Sequence, residues 1–244
     1  MDHQFNYLQR EAGRGSMSSA AIAAEQLSFM NKVYMWMAAA LTLTALTAMY
    51  VSSSVPLLKI IFGNPVIFYG LIIGELALVW YLSAGIQKMS AQSATAVFFI
   101  YAFVNGLTLS VIFLAYTSAS ITSTFFLTAA TFGIMSAYGY FTKTDLSTMG
   151  NLCIMLLVGL IIASIFNIFM ASPAIYWATT YLGIFVFVGL TAYDTQRIKE
   201  MNVIGNEGTE EDQKEAIMGA LILYLDFINL FLYLLRLFGD RRNN

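Results

Sequence analysis

Charge is scarce in this chain. Of its 244 residues, 11% are Asp, Glu, Lys or Arg, against 59% in the hydrophobic set, whereas a soluble domain carries about 25% charged residues. The shortage is concentrated between Val33 and Gln196, where six charged side chains occur: Lys59, Glu75, Lys88, Lys143, Asp145 and Asp194. So little charge excludes a water-soluble globule over that stretch and leaves a polytopic helical membrane protein. Histidine and cysteine are just as rare. The single histidine, His3, lies in the polar amino-terminal segment, which rules out a Ser–His or Cys–His apparatus in the apolar part and any HExxH zinc helix. The single cysteine, Cys153, lies in an apolar run, so neither an intrachain disulfide nor a cysteine metal site is open to it. A net charge of −2 with no basic stripe removes nucleic acid from the candidate partners and leaves the lipid bilayer.

What the sequence does have is a series of apolar runs. A helix rises 1.5 Å per residue, so about 20 residues cross a ~30 Å hydrocarbon core. Seven stretches meet that length: 33–51, 65–84, 94–115, 121–141, 152–171, 176–193 and 216–237. They are continuously apolar rather than alternating, which argues against a β-barrel. The prediction is an all-α integral membrane protein whose residues 28–244 form a seven-helix domain. Residues 1–27 are polar and lack the apolar core of a secretory signal, so they are expected to be a disordered tail, with Ala20–Leu27 able to prolong the first helix. Short links at Tyr116–Ser120 and Ser172–Pro173 force antiparallel neighbours. The long link, Gln196–Glu215, sets Arg197, Lys199 and Lys214 against Glu200, Glu207, Glu210, Glu211, Asp212 and Glu215. It reads as a solvated linker, because it lacks the fixed ligand spacing of a calcium loop.

Orientation follows the Lys/Arg distribution. An inside amino terminus places Arg10, Arg14, Lys32, Lys88, Lys143, Arg197, Lys199 and Lys214 inside, against Lys59, Arg236, Arg241 and Arg242 outside. The three arginines at the carboxyl end pull the other way, so the seventh run is expected either to span fully or to be re-entrant. The fourth run repeats small residues as Ala129, Gly133 and Ala137, and the fifth has Gly159 and Ala163. Such spacing lets helix backbones approach closely in lipid.

Ionisable side chains near the bilayer centre cost at least ~2.5–3.5 kcal/mol on insertion scales and mark candidate function. Three carboxylates qualify: Glu75 in the second run, Asp194 at the end of the sixth and Asp226 within the seventh. Asn105, Asn167 and Asn229 are weaker candidates, suited to interhelical hydrogen bonds. At about 100° per residue, Asp226, Asn229 and Tyr233 share one helix face, with Arg236 slightly further round. Asp194 and Asp226 flank the same loop at depths differing by roughly 7 Å. Two readings stay open: a coupled carboxyl pair, or two separate groups each satisfied by a neighbouring helix. A coupled pair in a low-dielectric site resists double ionisation and titrates as a unit, which makes a pH switch.

Four blocks are familiar in their order and spacing: IFLAYTSASITSTFFLTAATFGIMSAYGY (112–140), TKTDLSTMGN (142–151), GLTAYDTQRIK (189–199) and ALILYLDFINLFLYLLRLFGDRR (220–242). They closely resemble the Bax inhibitor-1 family, also called Lifeguard, and the short tail and RLFGDRR ending look most like its bacterial members. The resemblance implies seven transmembrane helices with the last one central, in the cytoplasmic membrane. It also implies a pH-sensitive leak of cations, calcium in particular, with calcium as permeant ion and no cofactor. Its pH-sensing aspartates match Asp194 and Asp226, which then become candidate transient calcium contacts. Glu75 matches the second-helix acidic position of some members, and Arg236 is its expected latch partner. One departure stands out. Some members carry an arginine near the end of the second helix, where this sequence has Gly85 and Ile86, with Lys88 as the nearest cation.

Rival functions keep a place. A proton-coupled transporter also uses coupled carboxylates, though no inverted repeat or paired broken helices are evident. A regulatory membrane protein acting through protein partners needs no transport at all. An intramembrane aspartyl protease fits Tyr193–Asp194 but fails at Leu223–Asp226, which is not Gly-x-Gly-Asp, and no proline follows Pro173. The chain is therefore not expected to be an enzyme.

Overall fold

The computed structural model describes residues 18–242. Seven of its helices are long and apolar enough to cross a membrane, so the chain is an all-α integral membrane protein. Helix α1 runs Ser19–Ser52, with the Ser18 hydroxyl accepting from the Ala21 N–H at 3.2 Å to cap it. Its buried residues Glu25, Phe29, Val33, Met37, Ala40, Thr44, Thr47 and Val51 recur at three- and four-residue steps, the stripe of a helix with one packed face. Ala20–Leu27 thus belongs to the first helix rather than to a disordered tail, because this stripe and its cap begin well before the hydrophobic run. The rest of the predicted tail, residues 1–17, lies outside the described residues.

A short helix, α2 (Val55–Gly63), precedes α3 (Pro65–Gly85) and was not foreseen. Prolines in the first turn start both, where their missing N–H leaves no helical bond unmade. After a 3₁₀ turn at Ile86–Lys88 come α4 (Ala91–Leu109) and α5 (Ile112–Ala115), which together fill the third predicted span with a break at 110–111. Then follow α6 (Ser118–Phe141), α7 (Ser147–Met170), α8 (Pro173–Met201) and α9 (Glu210–Phe238). Helix α8 runs past its predicted end to Met201 and α9 starts at Glu210, so the long linker shrinks to 202–209. Helix α9 is unbroken over 29 residues, which corrects the re-entrant alternative. It is also the most buried span, as expected for a central last helix.

The chain divides into two compact units, residues 1–109 with 198–221 and residues 110–197 with 222–244. In the first, α4 packs against both α1 and α3. Gly106 permits the α1 contact, since a Cβ there would meet Thr47 Cβ at 2.6 Å and the Thr44 carbonyl at 2.7 Å. The 202–209 loop is pinned to one face of α1. Glu25 accepts from the Gly205 N–H at 2.7 Å, Ser28 donates to Glu207 at 2.6 Å, and Lys32 donates to Asp212 at 2.8 Å. Gly205 and Gly208 take φ of 92° and 81° in that loop, where other residues would be strained.

In the second unit Cys153 and Leu160 of α7, Val186, Phe187 and Leu190 of α8, and Leu230 and Leu234 of α9 form one apolar core. The expected small-residue stripe does not pack there. A Cβ on Gly133 or Gly159 would meet nothing within 4 Å, whereas at Gly139 it would collide with the Ala192 carbonyl of α8. Helix crossing is thus set by Gly139, off the Ala129–Gly133–Ala137 register. The outer faces of α3 and α7 are dense in Ile, Leu and Phe, a surface suited to hydrocarbon rather than water.

Candidate functional site

Asp194 and Asp226 lie in the second unit, on α8 and α9. Both are buried, at 8% and 5% exposure, and their carboxyls lie close enough for each to act on the other. Counted from the observed helix ends, Asp194 lies seven residues before Met201 and Asp226 sixteen after Glu210, so the depth difference is closed by an offset of the two helices along their axes and not by where they end. Oδ2 of Asp226 is shut off from solvent and receives no hydrogen bond from a described group. Ionised carboxylates only accept hydrogen bonds, so two of them can bond to each other only through a proton carried by one.

Side chains next to Asp194 fix its place. Thr195 and Ser136 of α6 share a hydroxyl–hydroxyl bond at 2.9 Å. Gln196, also buried, accepts from the Leu146 N–H at 2.9 Å and donates to the Thr144 carbonyl at 2.9 Å, gripping the link between α6 and α7. Gly150 lies against the Tyr193 ring so closely that a Cβ would reach it at 2.4 Å. Four consecutive residues, Tyr193 to Gln196, thereby tie α8 to α6, α7, their link and Asp226. On the α9 side, Phe227 packs edge-on or tilted against Phe125 and Phe132 of α6, both at 5.5 Å. The cation that acts on Asp194 is Arg197, one turn along α8.

The other candidates scatter. Asn229 donates to the Leu225 carbonyl of its own helix at 2.8 Å. Asn167 accepts from the Ser172 N–H at 2.9 Å and closes the α7 terminus, where Ala171 adopts φ 48°. Tyr233 stacks on Phe187 at 5.8 Å and fills the space left by Gly183. Arg236 lies over the rings of Tyr176 and Tyr233 at 5.0 and 5.3 Å. In the first unit Glu75 accepts from Thr108 at 2.7 Å and from Asn105 at 3.4 Å. Acidic residues of the long linker are used structurally: Glu207 and Asp212 on Lys32, and Glu210 on the Ala91 N–H at 2.9 Å. No group of three or more His, Cys, Asp or Glu is placed to hold a metal among the described residues, so the pair offers two carboxylates and no closed metal cage.

Sequence reasoning missed Thr195 and Gln196. Their signal was present: polar side chains adjoining an intramembrane carboxylate need partners as much as it does.

Residues 26–243 match the family described as inhibitor of apoptosis-promoting Bax1. The inner membrane protein YbhL of Escherichia coli (strain K12) is 53% identical over 216 residues, covering 88% of this chain and 92% of that protein. An uncharacterized membrane protein of Streptococcus pyogenes serotype M3 is 38% identical over 183 residues, covering 75% of this chain and 79% of its own. The aspartates lie on the two helices where the resemblance puts them, and the match spans nearly the whole chain: it belongs to the Bax inhibitor-1 family.

Proposed function

We propose that the protein is a pH-sensitive cation leak channel of the cytoplasmic membrane, with calcium as its permeant ion and Asp194–Asp226 as its gate. The observation that carries this reading is a buried carboxyl pair, on two different helices, that can hydrogen-bond only by sharing a proton. With the proton in place the pair bridges α8 and α9. Without it two like charges face each other away from water, and they relieve the repulsion by moving apart or by taking up a cation. Either outcome couples pH to the opening between helices and to cation occupancy. The placement of YbhL in an inner membrane supports the location. The pair is not read as a protease dyad, because the sequence around Asp226 lacks the motif such enzymes use.

The test is flux from liposomes carrying the purified protein across pH 5 to 8, comparing calcium with potassium and protons. A calcium flux that varies with pH and exceeds that of empty liposomes is expected. Flux independent of pH, or none above the protein-free rate, would move the protein to the regulatory reading in which it acts through partners.

A further inference from the structure

The arginines that end the chain carry more donors than their contacts use. Arg241 and Arg242 are exposed and follow closely on α9. Backbone pairing holds them in place: Arg241 forms an isolated β-bridge with Tyr116, and the Arg242 N–H donates to the Ala115 carbonyl at 3.0 Å. Arg241 Nη2 donates to the Tyr176 hydroxyl at 3.2 Å, and Arg242 Nη1 to the Phe113 carbonyl at 3.0 Å. A guanidinium has five N–H groups and no acceptor, so these bonds aim each side chain without exhausting it. Tyr176 also lies under Arg236, whose guanidinium is 5.0 Å from its ring centre. Two cations thus converge on one tyrosine in the first turn of α8. The first N–H groups of a helix have no intrahelical acceptor and add partial positive charge there.

Opposing charge is scarce on this side of the whole chain. The links at 53–64, 116–117 and 171–172 contain no Asp or Glu, and past α9 the one acidic side chain is Asp240. Its Oδ2 accepts from the Ser120 hydroxyl of α6 at 3.4 Å. Neither Arg241 nor Arg242 has a carboxylate within ion-pair distance among the described residues. Beside Tyr176 an apolar lane begins. Trp177, Tyr181 and Phe185 follow at four-residue steps on one face of α8, all exposed, and Trp177 stacks on Tyr181 at 6.0 Å. At 1.5 Å per residue the lane covers about 12 Å, most of the ~15 Å depth of one leaflet. Trp and Tyr favour headgroup level, so it starts at the interface and runs into hydrocarbon.

We infer that this corner of the second unit binds an anionic phospholipid of the leaflet on the carboxyl-terminal side. The phosphodiester sits at Arg241 beside Tyr176, and an acyl chain lies along Trp177, Tyr181 and Phe185. An arginine fork matches phosphate oxygens two at a time, and Arg242 adds to the local positive potential. A soluble anion would leave the lane unused. A zwitterionic lipid would bring its ammonium to the guanidinia, with Asp240 alone to receive it. The site goes beyond the aspartate gate and does not depend on it.

The experiment uses the full chain with Trp36→Phe and Trp80→Phe, which leaves Trp177 as the reporter among the three tryptophans. It is placed in phosphatidylcholine vesicles with rising fractions of phosphatidylglycerol brominated on its acyl chains, which quenches indole fluorescence on contact. An arginine near an anionic headgroup is worth about fivefold, so phosphatidylglycerol should be preferred at Trp177 by roughly tenfold or more. The double variant Arg241→Gln, Arg242→Gln should bring the preference to about one. Ala174→Glu should do the same with both arginines intact: Ala174 is exposed one turn before Trp177, and an acid in the first turn suits the helix. A chain that keeps only Trp80, exposed on α3, should report the general lipid shell and no preference. Equal quenching at Trp177 by brominated phosphatidylcholine and phosphatidylglycerol would overturn the inference. So would an equal preference at Trp80, or one that survives both the double variant and Ala174→Glu. Release of the brominated lipid by inorganic phosphate, and not by chloride of equal ionic strength, would make the occupant free phosphate and overturn it too.

Discussion

Replacing one aspartate of the pair by asparagine is the sharpest perturbation the structure offers. In Asp226→Asn the new amide would keep the shape of the carboxyl and could donate its own N–H to Asp194, holding the pair together at any pH; the amide of Asp194→Asn would do the same from the other side. The wild-type pair loses its bond when the shared proton leaves. Two unit charges ~4 Å apart at an effective dielectric of ~20 repel by about 4 kcal/mol, up to a thousandfold in the ratio of separated to paired states. A tenfold pH response needs only ~1.4 kcal/mol of that. The sign is fixed by the same argument: pairing is strongest at acidic pH and is lost as pH rises through the titration of the pair. Calcium flux from dye-loaded liposomes would be recorded from pH 5 to 8 for wild type, Asp194→Asn, Asp226→Asn and the double variant. Each single change should flatten the curve to less than about twofold, and the double should add little, as for residues acting as one unit. Wild-type midpoints in both singles, or shifts that simply add, would refute the shared-proton gate and leave two independent structural carboxyls.

Three further outcomes follow from the packing. Gly139→Ala should push α6 off the Ala192 carbonyl and lower thermal stability by about 1–3 kcal/mol, whereas Gly133→Ala, with open space at its Cβ position, should be neutral in the same detergent melt. Lys32→Met strips the partner from Asp212, whose side chain is 4% exposed, and should cost about 1–3 kcal/mol; adding Asp212→Asn should restore part of it in denaturation curves. In the α6–α7 link, the Ser147 hydroxyl and then its N–H hold the Asp145 carboxyl below the usual carboxylate range. Its contribution is therefore present above the unfolded value of ~3.9 and fades as pH falls through the folded one, so amide protection at the start of α7, measured against the intrinsic exchange rate at each pH, should weaken below about pH 4 in wild type and vary less in Asp145→Asn.

The sequence made the membrane class and the helix count legible because lipid imposes one length and one polarity on every span. Helix ends were less legible. Hydropathy stops where polar residues begin, yet α1 starts at Ser19 and α8 reaches Met201, since Glu25 and Gln196 are buried on partners that no local window contains. The same failure hid the site's supports. Asp194 and Asp226 announced themselves as charges in an apolar run, and the family resemblance joined them. Gln196 looked like the start of a solvated linker, although both ends of its amide grip the link between α6 and α7. Glycines misled in the opposite direction. Regular spacing pointed to Gly133 and Gly159, but helix crossing depends on which face meets a neighbour, and that chose Gly139 and Gly106.

The carboxyl-terminal arginines resolve the one conflict within the sequence reading. Counted as free cations, Arg236, Arg241 and Arg242 oppose an outside carboxyl terminus. In the structure each has a local use. Arg236 sits over two tyrosine rings in the last turn of α9, where a cation also complements the helix dipole. Arg241 donates to the Tyr176 hydroxyl at 3.2 Å, and Arg242 to the Phe113 carbonyl at 3.0 Å. Backbone bonds fasten the same segment, from Thr117 N–H to the Asp240 carbonyl at 3.1 Å and from Arg242 N–H to the Ala115 carbonyl at 3.0 Å. These contacts also carry topological information. In a chain of seven full spans the carboxyl terminus must emerge at the end that holds the links between the third and fourth and between the fifth and sixth spans. Ala115 ends the third span and Thr117 belongs to the first of those links, and Tyr176 lies in the first turn after the second. A re-entrant α9 would have returned the terminus to the opposite end, far from all three. With the three arginines assigned to packing, and by the same standard Lys32 to Asp212 and Arg197 to Asp194, Lys59 alone remains on the outer side of the Lys/Arg distribution against six of the eight on the inner side, and the charge argument for an inside amino terminus no longer works against the helix it has to orient.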